Sequence, residues 1–260
     1  GVLCGAMLVA AALKAGAPPL LAIALIAGGL LAVVGLAAGW LDDLGAAGGS
    51  AQPAGSIWPR GRLVPIAALA FLGLFCEGSM GDWATIFLVD DVHATESAAA
   101  LGFAAYSLVM MAGRFLGDSL TRRLGPVLLL AASGLGVAIG LGFALSVRTY
   151  PASVLGFALV GLSTANMVPI LFRAAGREGD SGSAIASVST VGYLGFLAGP
   201  PLIGALSQSV GLPAALSVVV LFGLTIALSA RLVGQPPHLD LHSTPNLDGK
   251  LPHVQTGPCV

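Results

Sequence analysis

Charge is the scarcest property of this chain. Lysine, arginine, aspartate and glutamate together make up 9% of its 260 residues, whereas a soluble domain carries about 25% because water must solvate its surface. A water-facing globule is therefore excluded. Excess charge of either sign is also lacking: the formal net charge of −1 gives no electrostatic basis for a nucleic-acid or acidic partner. The three cysteines, Cys4, Cys76 and Cys259, are too scattered for a disulfide framework or a zinc spacing. No G-x-x-x-x-G-K-[ST] run occurs, so the chain carries no P-loop to act as a nucleotide motor. The polar–apolar alternation of a membrane β-barrel, over strands of about ten residues, is missing too. All four histidines fall in a loop or in the tail (His93, His238, His242, His253). Without a histidine or cysteine cluster inside an apolar run, neither a metal site nor an intramembrane enzyme is expected, and no cofactor is implied.

What remains is apolar. Hydrophobic residues make up 56% of the chain and the mean hydropathy is +0.94. A hydrocarbon layer of roughly 30 Å takes about 20 apolar residues of helix to cross. Segments punctuated by Gly, Pro and polar clusters fall at 1–13, 20–40, 63–88, 98–117, 126–147, 151–173, 183–206 and 212–233. These continuous Ala-, Leu- and Gly-rich runs predict an all-α membrane protein. The segment 1–13 is too short to span, and with Lys14 after it and no basic residue before it, it reads as the end of a cut helix rather than a signal peptide.

Successive spans reverse direction, so the loops near 41–62, 117–126 and 173–183 share one side with the tail from 234. That side collects Arg60, Arg62, Arg114, Arg122, Arg123, Arg173, Arg177, Arg231 and Lys250, against Lys14 and Arg148 on the other. The positive-inside rule makes the basic side cytoplasmic and faces Asp90, Asp91 and Glu96 outward. The stretch 41–62, rich in Gly, Ala and Ser, reads as a cytoplasmic linker. Residues 234–260, with Pro, Gly and polar residues and no helical period, are expected to be disordered. The organisation is therefore the end of one bundle (1–40), a linker, and a complete six-helix bundle (63–233). Two six-helix bundles joined centrally are how the major facilitator transporters are built.

A more specific resemblance lies in Gly113-Arg114-Phe115-Leu116-Gly117-Asp118-Ser119-Leu120-Thr121-Arg122-Arg123-Leu124-Gly125. It resembles the second copy of the loop signature of the major facilitator superfamily. The resemblance implies a cytoplasmic latch with Asp118 as the acid and Arg122 or Arg123 as its cationic partner. Arg114, one turn before Asp118, can meet it on the same helix face. Gly113 stands five residues before Asp118 rather than four, and Ser119 occupies a usually basic place. Gly195-Phe196-Leu197-Ala198-Gly199-Pro200-Pro201 resembles the family's glycine–proline pattern, here in the position of the eleventh helix. Glycines four apart allow close packing, and prolines remove amide donors, so Gly199, Pro200 and Pro201 predict a pliable, tightly packed helix. Glu77–Trp83 and Gly161–Pro169 resemble the bacterial branch near the fucose-permease and sugar-permease-like members.

Several polar residues fall within the apolar runs. Glu77 lies 14 residues into its segment, about 21 Å at ~1.5 Å per residue, which is near the midplane. A charge there costs at least about 2.5 kcal/mol on insertion scales. Glu77 can lower that cost by protonating, which makes it the candidate for proton coupling or solute binding. Asp82, about 140° further round the helix, need not share its cavity. Asn166, with Ser163 and Thr164 just before Pro169, offers a polar patch for a hydroxylated solute. Tyr106 and Tyr193 lie inside their segments, where a phenol needs a partner, and are further cavity candidates. Trp83 reads as an interfacial anchor.

The expected function is secondary transport of a small sugar-like or drug-like solute across a bacterial inner membrane, by alternating access and coupled to protons, as symport or efflux. A non-transporting sensor or assembly subunit on the same scaffold, or an inactive truncated product, are the alternatives.

Overall fold

The computed structural model describes residues 28, 58–178 and 181–234. The chain divides into two units, 1–54 and 55–260, and the architecture below is that of the second. Apart from residue 28, the expected spans over 1–13 and 20–40 lie outside the described residues, as do residues 41–57 of the linker expected over 41–62 and all but Gly234 of the tail expected over 234–260.

Every regular element among the described residues is helical. They are α1 (Leu63–Asp90), α2 (Glu96–Leu124), α3 (Pro126–Val147), α4 (Tyr150–Thr164), α5 (Met167–Ala175), α6 (Ser181–Val210), α7 (Leu212–Ser229) and a closing 3₁₀ turn (Ala230–Val233). With α4 and α5 counted as one broken span, and the 3₁₀ turn with α7, six helical rods are long and apolar enough to cross a membrane. Local chemistry sets their ends. The Thr95 hydroxyl accepts from the Ala98 amide at 3.3 Å and caps α2, with Glu96 favourably placed in the first turn. Gly125, at φ +78°, ends α2 where few other residues would fit, and Pro126 then opens α3.

Two helices depart most from the expected bounds. The segment at 98–117 continues to Leu124, because Asp118, Arg122 and Arg123 stay helical as they leave the apolar layer. The segment at 151–173 is broken at Ala165–Asn166. Pro169 has no amide to offer the Ala165 carbonyl, so the hydrogen-bond ladder lapses one turn earlier. By contrast α6 runs continuously through Pro200 and Pro201.

The helices pack as a core around α1 and α3. α1 lies along α6 and also touches α2, α5 and α7, while α3 is held between α4 and α7, and α2 lies on α4. The α1–α6 seam is the closest. A Cβ on Gly78 would stand 2.5 Å from the Phe196 carbonyl oxygen, and one on Gly195 would overlap the Phe71 carbonyl. The Phe196 carbonyl is the one that Pro200 leaves without an amide donor, and Gly78 lets α1 approach it. The Trp83 indole donates to the Pro200 carbonyl at 3.0 Å, so Trp83 ties α1 to α6 rather than serving only as an interfacial anchor.

The outward faces are apolar as well. Leu101, Leu155, Leu197 and Leu228 are 68%, 67%, 69% and 83% exposed, a pattern that would drive aggregation in water but is at ease in lipid. At the α1–α2 loop, burial pushes the Asp91 carboxyl up, opposed by the Arg148 charge, with Asp90 adding to the rise and His93 opposing it.

Candidate functional site: an ion pair within the bundle

Leu63, Leu124, Pro126, Ala175 and Ser181 all lie at one end of the rods, together with most of the arginines. From that basic end Glu77 is halfway along the 28-residue α1. The Arg114 guanidinium reaches it from α2, with Nη2 donating to Glu77 Oε1 at 2.9 Å. The cost of the acid is thus met by a cation rather than by protonation alone. The Glu77 side chain is 18% exposed and that of Arg114 54%, so the carboxylate is enclosed while the guanidinium opens onto the bundle's surface. A pair with one accessible member can be separated by a proton on the acid or by a competing charged group at the cation.

Around this pair the polar groups of α2 and α4 converge. Tyr106, two turns before Arg114, is buried and lies within the electrostatic reach of both Glu77 and Arg114. Its hydroxyl sits beside Thr164 without a hydrogen bond of good geometry, while the Thr164 hydroxyl donates to the Val160 carbonyl at 3.0 Å and keeps its acceptor capacity. Asn166 donates its amide to the Gly113 carbonyl at 3.1 Å, and its side chain fills the space a Cβ on Gly117 would need. Asn166 is therefore turned onto the α2 backbone. The break before Pro169 leaves this residue placed to join two helices through that bond.

The remaining candidates are distributed as follows. Tyr193 is 56% exposed on α6, apart from the buried Tyr106. Asp82 is exposed on α1 and makes no ion pair among the described residues. Gly199 packs against Phe75 and Ser79 of α1. The partners expected for Asp118 also change. Arg114 is committed to Glu77, Arg122 donates to Ser119 at 3.1 Å, and Arg123 is exposed. Asp118 instead accepts from Arg173 of α5 at 2.6 Å. Arg173 was legible in the sequence only as one more basic residue at a helix end. A further ion pair, Arg62–Glu178 at 3.6 Å, joins the start of α1 to the turn after α5.

The Asp118–Arg173 pair is 66% and 52% exposed, so solvent screening leaves it little to contribute to stability. Asp118→Asn is accordingly expected to lower the melting temperature in detergent by no more than a few degrees, with a smaller effect at high salt. A larger, salt-independent drop would show that Asp118 is holding something besides Arg173.

Comparison with known proteins agrees with this architecture. A family model described as Major Facilitator Superfamily matches residues 63–255. An uncharacterized MFS-type transporter of Yersinia pestis is 40% identical over 179 residues, which is 68% of this chain and 47% of that protein. Membrane protein MosC of Rhizobium meliloti is 34% identical over 65% of this chain and 42% of its own length. An uncharacterized transporter of Sinorhizobium fredii, y4wD, is 31% identical over 70% of this chain and 48% of its own length. The chain spans about half the length of the curated relatives it matches.

Proposed function

The chain belongs to the Major Facilitator Superfamily, and from that premise we propose that it forms part of a secondary transporter that moves a small solute across the bilayer by alternating access. The observation that carries this reading is the Glu77–Arg114 pair, enclosed on the acid side and open on the basic side. An acid paired with a single cation is a two-state element. A proton entering from the accessible side neutralises Glu77, releases Arg114, and changes how α1 and α2 present themselves to an opposing bundle. The α1–α6 seam then moves as one rigid unit, because its carbonyl-to-glycine contacts leave no room for sliding.

The solute is small and polar, of the sugar-like or drug-like range, and Tyr106 and Arg114 are its nearest hydrogen-bonding groups. The arginine-rich end is cytoplasmic, in keeping with the charge asymmetry of the loops, and the membrane is the bacterial inner membrane.

The test is uptake by the complete gene product in proteoliposomes under an imposed pH gradient, with a panel of sugars and cationic drugs. Protease access to the tail scores the orientation of the inserted protein. At least one solute is expected to accumulate with the gradient and to stop when a protonophore collapses it. Accumulation that ignores the protonophore would remove proton coupling, and no movement of any solute would count against transport itself.

A further inference from the structure

The basic end of the bundle holds a recess of about 250 Å³ that the ion pair does not use. Arg122 from α2 and Arg173 and Arg177 from the end of α5 line it, with Thr121 beside them and the apolar Ile170 and Ala174 as its floor. We propose that this recess binds the phosphate of an anionic phospholipid headgroup.

Three guanidinium groups converge there and one carboxylate answers them. Asp118 is bonded to Arg173 and its field reaches Arg122, whereas Arg177 has no ion pair among the described residues. The recess is thus left with net positive charge. Planar guanidinium forks suit phosphate oxygens, giving short, bidentate, charge-assisted bonds. The opening of α3 at Pro126 also lines the recess and adds the positive end of a helix dipole.

Size and place select the source of the phosphate. Clefts for drug-sized ligands hold about 300–1,000 Å³, so the recess takes a headgroup rather than a whole solute. It lies at the terminal turns of membrane-spanning helices, where the headgroup layer begins. Leu124, Leu128 and Leu232, each within two residues of a lining residue, are 45%, 56% and 42% exposed and offer apolar flanks for acyl chains. Basic pockets between transmembrane helices are a recurrent means of holding anionic headgroups. Anchoring at the interface alone would ask only for arginines near the boundary, not for three around one cavity.

The test uses the complete gene product in a neutral detergent, titrated with phosphatidylglycerol, phosphatidylcholine or inorganic phosphate while the melting temperature is followed. Phosphatidylglycerol is expected to raise it saturably; phosphatidylcholine and millimolar inorganic phosphate are not. In R122Q/R177Q the half-saturating phosphatidylglycerol concentration should rise roughly thirtyfold, and in R177Q alone about fivefold. R60Q/R148Q, which loses the same charge elsewhere, should respond as the wild type does. If R122Q/R177Q does not fold, R177Q carries the measurement. An unchanged phosphatidylglycerol response in R177Q and R122Q/R177Q, or an equal loss in R60Q/R148Q, overturns the site. Stabilisation by inorganic phosphate equal to that by phosphatidylglycerol overturns the lipid as its ligand.

Discussion

Glu77→Gln is expected to cut pH-gradient-driven transport by more than about tenfold, equivalent to at least ~1.4 kcal/mol, while leaving the protein folded. The amide cannot carry the proton, but its oxygen can still accept a hydrogen bond from Arg114. Arg114→Gln should behave differently. It leaves a carboxylate whose side chain is 18% exposed without its cation inside an apolar layer. Removing one partner of a fully buried pair costs about 3–5 kcal/mol; the half-open geometry here scales this to roughly 1–3 kcal/mol. Arg114→Gln is therefore the less stable single variant, and the double variant should recover part of the loss. The check is a double-mutant cycle on melting temperature, run beside proteoliposome uptake. Strictly additive effects would mean that the two residues do not act as a pair, and undiminished gradient-driven uptake in Glu77→Gln would remove that residue as the proton carrier.

Stability should respond sharply at the seam between α1 and α6. Gly195→Ala places a methyl group against the Phe71 carbonyl, and Gly78→Ala places one 2.5 Å from the Phe196 carbonyl. Neither obstacle is the end of a flexible side chain, so the helices must separate. Overpacking of this kind costs about 1–3 kcal/mol per site. The two changes share one seam, and the double variant should lose less than their sum, since a separation forced by the first makes room for the second. Gly81→Ala is the matched control on the same helix: a Cβ there meets nothing within 4 Å, and the change removes a glycine from a helix interior, where Ala is the better helix former. Thermal unfolding in detergent separates these expectations. Equal losses at positions 78, 81 and 195 would show that the carbonyl contacts of the seam do not set the cost.

The six spans between residues 63 and 233 and the acid halfway along the first of them were legible because both follow from local chemistry. An apolar run of some twenty residues has one low-energy arrangement in lipid, since an unsatisfied backbone there is too costly. An acid halfway along it stands out whatever its neighbours are. The partners were not legible. Arg114 lies four residues before Asp118, so one-helix reasoning joins the two, yet it reaches Glu77, 37 positions back. Asp118 reaches forward 55 positions to Arg173, and Asn166 turns back 53 positions to Gly113. These pairings depend on how each helix is rotated about its axis. α1 is apolar on nearly every side, so the sequence contains no stripe from which its rotation could be read.

Trp83 shows the same division. Its position near the outer end of α1 is a matter of counting residues, but whether the indole meets headgroups or the Pro200 carbonyl depends on where α6 passes. By itself the sequence determined that this protein lives in a bilayer as helices, where most of the described helices begin and end to within a turn or so, and which end is basic, because hydrophobic length, capping residues and charge act over a few residues; the end of α2, two turns beyond its apolar run, is the exception. Only the tertiary structure decided which charges meet, which glycines are contact points, and that Asn166 donates to the backbone of α2. Those outcomes depend on helix rotation and separation, which are set by packing among segments far apart in the chain.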